Sequence, residues 1–237
     1  MKQPIVWMVI TIFALNTPTY VCAQEENMVR KKTTKDKLST YHKKRNFKKT
    51  AEPEGKVKKR ASKQCLFVIQ EHAASHLHFD FRLEVDGVLK SWAIPKGPSL
   101  DPAIKRLAVE TEDHPMEYAQ FEGIIPKGQY GGGTVMVWDI GTYENVKEEH
   151  DISMEQSYEE GRIEVILHGK KLHGAFALIH THRPNDKGRQ WIFFKLDDEY
   201  ASKKKNPVNT QKKSALTDRT MTQIKKEEIG RTEWNSK

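Results

Sequence analysis

The nine residues from Leu77 to Val85 alternate strictly between large apolar and polar side chains. Such alternation is typical of a β-strand with one face in a core and the other face polar. The dipeptide Asp86-Gly87 follows directly and favours a tight hairpin turn, so residues Val88 to Ile94 are predicted to return beside the first strand. A hairpin alone cannot complete a core, and the chain is therefore predicted to build a larger sheet around it.

Short apolar runs separated by turn residues continue along the chain and predict six further strands. They are Leu66–Ile69, Arg106–Glu112, Thr134–Trp138, Arg162–Leu167, Ala175–His180 and Trp191–Leu196. The acidic stretch Asp151–Glu160 is predicted as either a short helix or a loop. Many short strands with turn signals between them favour an all-β fold, either a compact antiparallel β-barrel or a sandwich, with short helical or loop insertions.

Charge is distributed very unevenly along the 237 residues, whose formal net charge is +8. Residues 61–200 carry 23 acidic against 15 basic side chains, whereas residues 30–60 carry 3 against 14 and residues 201–237 carry 4 against 10. We therefore predict a folded domain over 41–200, a disordered basic arm over 24–40 and a disordered basic tail over 201–237. Basic arms attract polyanions such as nucleic acid, and the alternative for the tail is a solubilising role.

The first 23 residues have the pattern of a secretory signal peptide. Lys2 is followed by an apolar run, Ile5–Leu15, and by small residues that permit cleavage after Ala23. This predicts an exported, periplasmic protein with no membrane contact in its mature form and a single cysteine, Cys65. The alternative is a translation start at Met28, which predicts a cytoplasmic protein.

The polar face of the Leu77–Val85 strand carries His78, Asp80 and Arg82, and His72 is predicted to fold back toward it across a turn. Two imidazoles and one carboxylate are a common ligand set for Mn²⁺, Fe²⁺ or Zn²⁺, and three protein ligands leave positions open for catalysis. We predict a catalytic metal at His72, His78 and Asp80, in a polar cavity at a barrel mouth. The alternative is an ordinary solvated strand face.

Groups that suit a phosphate follow this strand in the sequence. They are Lys96, Arg106, His114 and Tyr118. Arg and Lys bind phosphate oxygens, and His114 fits three roles: metal ligand, general acid or neutral hydrogen-bond donor. The glycine-rich loop Gly128–Gly133 fits either a phosphate cradle or a plain turn. We expect Arg82, His114 and Tyr118 to hold phosphate oxygens while the metal activates water.

Five segments of the chain closely resemble the 3′-phosphoesterase module of bacterial ATP-dependent DNA ligase D. They are Gln70–Glu84, Leu89–Ser99, Glu112–Pro115, Phe121–Pro126 and Tyr130–Asp139, within a resemblance that extends from Tyr41 to Leu196. The resemblance implies a compact β-barrel and a Mn²⁺-dependent hydrolase, with other divalent transition metals as alternatives. Members of this family remove a 3′-terminal ribonucleoside and then the 3′-phosphate, leaving a 3′-hydroxyl for DNA repair.

The resemblance also implies roles for individual residues. It matches His72, His78 and Asp80 to metal ligands, and Arg82, His114 and Tyr118 to contacts with the scissile phosphate. Further functional positions match Gln70, Lys96, Arg106, Glu112, Arg45 and Glu52, of which the last two would fold over the active site. The expected partners are 3′ ends of primer–template or nicked duplex and a separate ligase or polymerase, and the protein is expected to be a stand-alone monomer.

Two other functions fit parts of the pattern. A non-haem Fe(II) oxygenase would use His78-x-Asp80 together with His168 or His180. A non-catalytic nucleic-acid-binding β-barrel with basic arms would bind without turnover.

Overall fold

The computed structural model describes residues 37–57, 65–183 and 189–227. The predicted signal peptide and the alternative start at Met28 lie outside these residues. Within the described residues, no helix has the length and apolar character needed to cross a bilayer.

The described residues contain nine strands and, besides a helical segment at their C-terminal end, three short α-helices. The strands are β1 Cys65–Ala73, β2 Leu77–Val85, β3 Val88–Ile94, β4 Arg106–Glu110, β5 Gly123–Ile125, β6 Gly133–Asn145, β7 Arg162–Gly169, β8 His173–His180 and β9 Gln190–Lys195. The helices are α1 Ser39–Lys43, α2 Met154–Glu159 and α3 Pro207–Thr210, with 3₁₀ turns at Met116–Gln120 and Val146–His150. Residues 221–227 are also helical.

Eight of the strands close into an antiparallel barrel, which confirms the predicted fold class. The strands are joined in the order β1-β2-β3-β4-β9-β8-β7-β6, and β6 pairs with β1 to close the ring. Strand β5 pairs only with the first residues of β6 and lies outside the ring. All eight strands predicted from the sequence are present, and β5 was missed because three residues are too few to show a period.

The interior of the barrel is filled by large apolar side chains. The alternating residues Phe79, Phe81, Leu83 and Val85 of β2 meet residues from every other barrel strand in this core. An eight-stranded barrel is only wide enough for such side chains to fill it. The polar face of β2 is consequently turned outward, so the prediction of a polar cavity at the barrel mouth is wrong.

A second apolar cluster lies on the outer wall of the barrel. It joins Leu38 and Tyr41 of the N-terminal segment to Val68 of β1, Leu89 of β3 and Tyr118. The N-terminal segment thus covers the face of the sheet that carries the polar residues of β2. Helix α1 of this cover begins at Ser39, before the predicted domain boundary at 41.

The C-terminal residues 201–227 pack against the barrel, which differs from the disordered tail predicted for 201–237. Ser202 donates its backbone N–H to Leu100 O at 2.8 Å, and Ala215 donates to Val137 O at 2.8 Å. Ile224 is fully buried in the main core. Sequence composition missed this because the segment has few apolar residues and attaches mainly through backbone groups of the barrel.

Candidate metal and phosphate site

The hairpin formed by β1 and β2 brings the three predicted ligands together. In its antiparallel register His72 lies opposite His78, and Gln70 lies opposite Asp80. Residues opposite each other on antiparallel strands point to the same face, so all four side chains project from the outer wall. His72 reaches this face by direct strand pairing.

Two backbone carbonyls orient the imidazoles. His72 Nε2 lies 2.9 Å from Gly131 O, and His78 Nδ1 lies 2.9 Å from His76 O. A carbonyl oxygen only accepts hydrogen bonds, so these two nitrogens carry the protons. The lone pairs of His72 Nδ1 and His78 Nε2 are left facing Asp80, each 3.6 Å from one carboxylate oxygen.

The resulting donor set fits a divalent transition metal. One nitrogen from His72, one from His78 and one oxygen from Asp80 lie within 4.8 Å of one another. Ligand atoms around one such ion are each about 2 Å from it, so they lie up to about 4 Å apart. The two 3.6 Å nitrogen–oxygen separations are within that distance. Carbonyl partners on the remote imidazole nitrogens are the usual supports of metal-bound histidines.

Arg82 holds the Asp80 carboxylate in place. Its Nη2 donates to Asp80 Oδ2 at 3.0 Å, and both side chains are buried. Burial alone would raise the pKa of the Asp80 carboxyl, but the Arg82 guanidinium and the imidazoles of His78 and His72 hold it well below its usual range. Asp80 is therefore an anion that is available to a metal at neutral pH.

Gln70 in turn fixes Arg82. Arg82 Nε donates to Gln70 Oε1 at 2.8 Å, while Gln70 Nε2 donates to the backbone oxygens of Tyr118 and Phe121, each at 3.0 Å. Gln70 is completely buried and Arg82 is 2% exposed. The guanidinium is thus locked by a satisfied buried network, yet its Nη groups keep further N–H donors for a ligand.

His114 is a buried neutral imidazole between two arginines. An isolated antiparallel β-bridge between His114 and Leu89 places His114 beside β3. Its Nδ1 lies 2.8 Å from Glu112 O and 3.0 Å from Arg82 Nη1, and its Nε2 lies 3.1 Å from Arg45 Nη2. Burial and the charges of Arg82 and Arg45 hold its pKa well below the ordinary value of 6.5. His114 is not part of the cluster of three metal ligands.

The N-terminal segment closes over these groups through Arg45. Its guanidinium, 4% exposed, donates to Glu52 Oε1 at 2.8 Å and to Glu112 Oε1 at 2.9 Å. Tyr118 donates its hydroxyl to the same Glu52 oxygen at 3.1 Å. Burial and the Glu52 charge hold the pKa of Tyr118 well above its usual range, so its phenol stays protonated. Arg45 therefore lines the cavity, and Glu52 contacts both Arg45 and Tyr118.

A cavity of about 270 Å³ separates these groups from the metal ligands. It is lined by Arg45, His72, His78, Asp80, Arg82, Glu112, His114 and Tyr118, among others. Two residues at this site were not anticipated. Tyr130, which is 47% exposed, lines the cavity. Lys44 lies outside the cavity lining and contacts two of its residues, with its ammonium 3.0 Å from the Tyr130 hydroxyl and 2.9 Å from Glu112 Oε2. The tyrosine of the glycine-rich loop and a lysine beside Arg45 were the signals available in the sequence.

Four other residues from the sequence analysis lie outside this cavity. Lys96 is exposed after β3, and Arg106 has the phase of Ala108, whose side chain enters the barrel core. His168 bonds to Glu144 at 2.8 Å, and His180 stacks on Trp191. The metal cluster found in the described residues includes neither His168 nor His180, so the ligand set imagined for an oxygenase is not formed.

The family model described as the DNA Ligase D 3′-phosphoesterase domain matches residues 70–180. That range contains the three candidate metal ligands together with Arg82, His114 and Tyr118. These residues belong to the DNA ligase D 3′-phosphoesterase family. The resemblance seen in the sequence motifs is confirmed, and the outer-wall cavity is the candidate site of this phosphoesterase domain.

Curated relatives of this phosphoesterase domain are large end-joining proteins. The chain is 44% identical over 187 residues to the multifunctional non-homologous end joining protein LigD of Pseudomonas aeruginosa, which covers 78% of this chain and 22% of that protein. It is 47% identical over 168 residues to LigD of Mycolicibacterium smegmatis, and that match covers 69% of this chain and 21% of the relative. The chain therefore spans about a fifth of the length of these relatives.

Proposed function

We propose that the protein is a metal-dependent hydrolase that processes the 3′ ends of nucleic acid in DNA repair of the end-joining type. It removes a 3′-terminal ribonucleoside and then the remaining 3′-phosphate, leaving a 3′-hydroxyl. The observation that carries the proposal is one cavity in which the His72, His78 and Asp80 ligand atoms face Arg82, His114 and Tyr118. The family match and the names of the relatives support the same reaction class.

Mn²⁺ is the metal we propose for this site. His72 Nδ1, His78 Nε2 and Asp80 would hold it, since mixed nitrogen and oxygen donors suit Mn²⁺ as well as Fe²⁺ and Zn²⁺. A metal bound there supplies a Lewis acid for a phosphate oxygen and lowers the pKa of a bound water.

Two guanidinium groups would bind the phosphate from the opposite side. Arg82 and Arg45 are already desolvated and fixed by Asp80, Gln70, Glu52 and Glu112, so little reorganisation is needed when negative charge develops on the phosphate. Electrostatic stabilisation by such preorganised donors is worth about 2.7–4 kcal/mol per donor in other hydrolases.

His114 and Tyr118 would act as neutral hydrogen-bonding groups. The lowered pKa of His114 keeps its imidazole uncharged, and the raised pKa of Tyr118 keeps its phenol protonated. Tyr118 therefore donates through its hydroxyl and is not a base at neutral pH. His114 keeps the two cationic guanidinium groups apart without adding a third charge, which leaves the cavity suited to a dianionic phosphate.

A labelled primer–template with a 3′-terminal ribonucleotide or 3′-phosphate tests the proposal. The wild-type protein would be incubated with Mn²⁺, Mg²⁺, Zn²⁺ or chelator and compared with His78→Ala. His76→Ala is the matched control, because the His76 side chain is exposed and only its backbone oxygen supports His78. We expect 3′-hydroxyl product from wild type and His76→Ala in Mn²⁺ and a loss of at least 100-fold for His78→Ala.

Two outcomes would oppose the proposal. Product formation that persists in chelator, or equal turnover by His78→Ala, would exclude a metal site at these residues. Tight binding of the primer–template with no turnover in any metal would favour the non-catalytic nucleic-acid-binding barrel.

The compartment stays a prediction from the N-terminal residues. Export with cleavage after Ala23 would give a mature protein that begins at Gln24, whereas a start at Met28 would give a cytoplasmic protein. N-terminal sequencing of the protein purified from its own host separates the two.

A further inference from the structure

The C-terminal strap, residues 202–227, crosses the barrel in an ordered path. Beyond the contact of Ser202 with Leu100, Trp138 donates its indole N–H to Gln211 O at 2.8 Å. Ala215 then bonds to Val137 O, in the stretch of β6 that lies between its pairings with β5 and β7. The strap thus occupies a gap in the sheet where backbone groups of β6 would otherwise lack partners.

One buried carboxylate fastens the strap. Glu122, whose side chain is 3% exposed, accepts hydrogen bonds from Ser214 Oγ, from Thr217 Oγ1 at 2.6 Å and from Arg219 Nη2 at 3.3 Å. It also accepts from the backbone N–H of Val137 at 2.9 Å. A buried carboxylate with four donors is well satisfied, so it holds the strap and the barrel wall in one arrangement.

The strap lies at the end of the barrel that carries the metal ligands. Val208 of α3 and Phe79 of β2 both pack against Gly97, where an added Cβ would come within 3.0 Å of each. Phe79 directly follows the ligand His78, and Val137 pairs with Gln70, two residues before the ligand His72. Exposed Lys96 immediately precedes Gly97.

The outer surface of the strap is strongly basic. It carries seven exposed lysines, Lys203, Lys204, Lys205, Lys212, Lys213, Lys225 and Lys226. Its acidic residues Asp218 and Glu227 are engaged by Lys213 and Arg219. Among the described residues, the salt bridges include neither Lys203, Lys204 and Lys205 nor Lys225 and Lys226. These ammonium groups are therefore available to an anionic partner.

We infer that the C-terminal strap is a docking surface for the phosphate backbone of the duplex that leads to the 3′ end. This inference rests on the proposed function. A terminal phosphate in the cavity leaves the rest of the duplex to lie against neighbouring surface, and the strap is a fixed cationic surface beside it. Exposed lysines contact the phosphates of the nucleic-acid backbone and do not read bases, so we expect the docking to be independent of nucleotide sequence.

Binding of a fluorescent duplex with a recessed 3′-hydroxyl tests the inference directly. We compare wild type with Lys204→Gln/Lys205→Gln and with the control Lys147→Gln/Arg162→Gln, which removes the same charge from strands and turns at the opposite barrel end. The strap variant is expected to raise Kd about tenfold and to reduce the slope of log K against log salt by about 0.9 for each phosphate that the variant no longer neutralises. The control is expected to change Kd by less than twofold.

A second variant and a turnover readout separate this inference from the proposed function. Glu122→Gln should weaken duplex binding by releasing the strap, with the β-barrel signal in circular dichroism retained. In turnover assays the Lys204→Gln/Lys205→Gln variant should raise KM more than it lowers kcat. Equal effects of the strap and control variants on Kd would overturn the inference. If the strap variant loses duplex affinity, the docking surface is supported whatever the turnover result. If the wild type shows no turnover, the proposed function is overturned.

Discussion

At the scale of single residues, Arg82 connects the three candidate metal ligands to His114 on the other side of the cavity. It touches Asp80 and Gln70, and its Nη1 lies 3.0 Å from His114 Nδ1. The sequence predicted its position because it shares the phase of His78 and Asp80 along one strand. The sequence could not predict that Gln70 fixes its orientation, since that depends on backbone oxygens of Tyr118 and Phe121 far along the chain.

Replacing Arg82 by lysine should lower metal affinity although the charge is kept. A lysine has a single nitrogen, so it cannot reproduce the separately placed Nε and Nη2 contacts that the planar guanidinium makes with Gln70 and Asp80. Loss of such a support for a metal ligand typically costs about 10–100-fold in metal affinity or activity. Isothermal titration of Mn²⁺ into Arg82→Lys should show this loss, and Lys96→Arg, a charge-conserving change outside the cavity, is the control. Unchanged Mn²⁺ affinity in Arg82→Lys would argue against the supporting role.

His114 should make the stability of the protein depend on pH. Its pKa is lowered in the folded state and near 6.5 in the unfolded chain, so the unfolded chain binds more protons below about pH 6.5. The stabilising contribution is present above pH 6.5 and is lost as the pH falls toward the folded pKa. The thermal midpoint of His114→Gln should therefore fall less between pH 7.5 and 5.5 than that of wild type. The control His150→Gln replaces an exposed histidine and should change the thermal midpoint with pH as the wild type does. A midpoint that falls equally in His114→Gln and in wild type would refute the argument.

At the scale of elements, the sequence predicted best those segments whose pattern is local. The hairpin of β2 and β3 follows from strict alternation and the Asp86-Gly87 turn, and its bounds agree with the prediction. Strand β5 and the strap carry no period, since their partners are backbone groups of β6. The cover formed by α1 and the residues after it was anticipated only through family resemblance, because its ion pairs join residues about 70 positions apart.

The Arg45–Glu52 pair should hold this cover to the barrel. Glu52→Gln leaves the buried Arg45 guanidinium without one of its two carboxylates, and breaking a buried pair in this way costs about 3–5 kcal/mol. Urea unfolding should show that loss, and the double variant Arg45→Met/Glu52→Gln should be less destabilised than the two single changes combined. The control Glu54→Gln alters an exposed carboxylate and should cost under about 0.5 kcal/mol. Additive single effects would show that the pair is not coupled.

At the scale of the whole molecule, the barrel serves as a rigid wall and the site lies on its outer surface. The fold class could be predicted because many short strands with turns between them permit few architectures. The location of the site could not, because alternation shows that the polar residues of β2 share one face but not whether that face is turned inward or outward. The volume of the apolar side chains decides this, since Phe79, Phe81 and Trp92 fill the interior.

The same outer wall lets separate parts of the chain complete the site. The N-terminal segment supplies Arg45 and Glu52, the glycine-rich loop supplies Gly131 and Tyr130, and the strap packs at the adjoining end. A cavity inside the barrel would be closed to a polymer, whereas an outer-wall cavity admits the end of a nucleic-acid strand with its duplex alongside. This arrangement supports the proposal that the strap binds substrate while the barrel holds the site.

Pulsed electron paramagnetic resonance of Mn²⁺ bound to the protein tests the central claim most directly, because imidazole nitrogens coupled to the metal are counted in the spectrum. The account predicts one tightly bound Mn²⁺ per chain with couplings from two histidine nitrogens, and coupling from a single histidine in His72→Ala and in His78→Ala. His76→Ala should retain both couplings. A Mn²⁺ spectrum without histidine couplings, or one that is unchanged in His72→Ala and His78→Ala, would contradict the account.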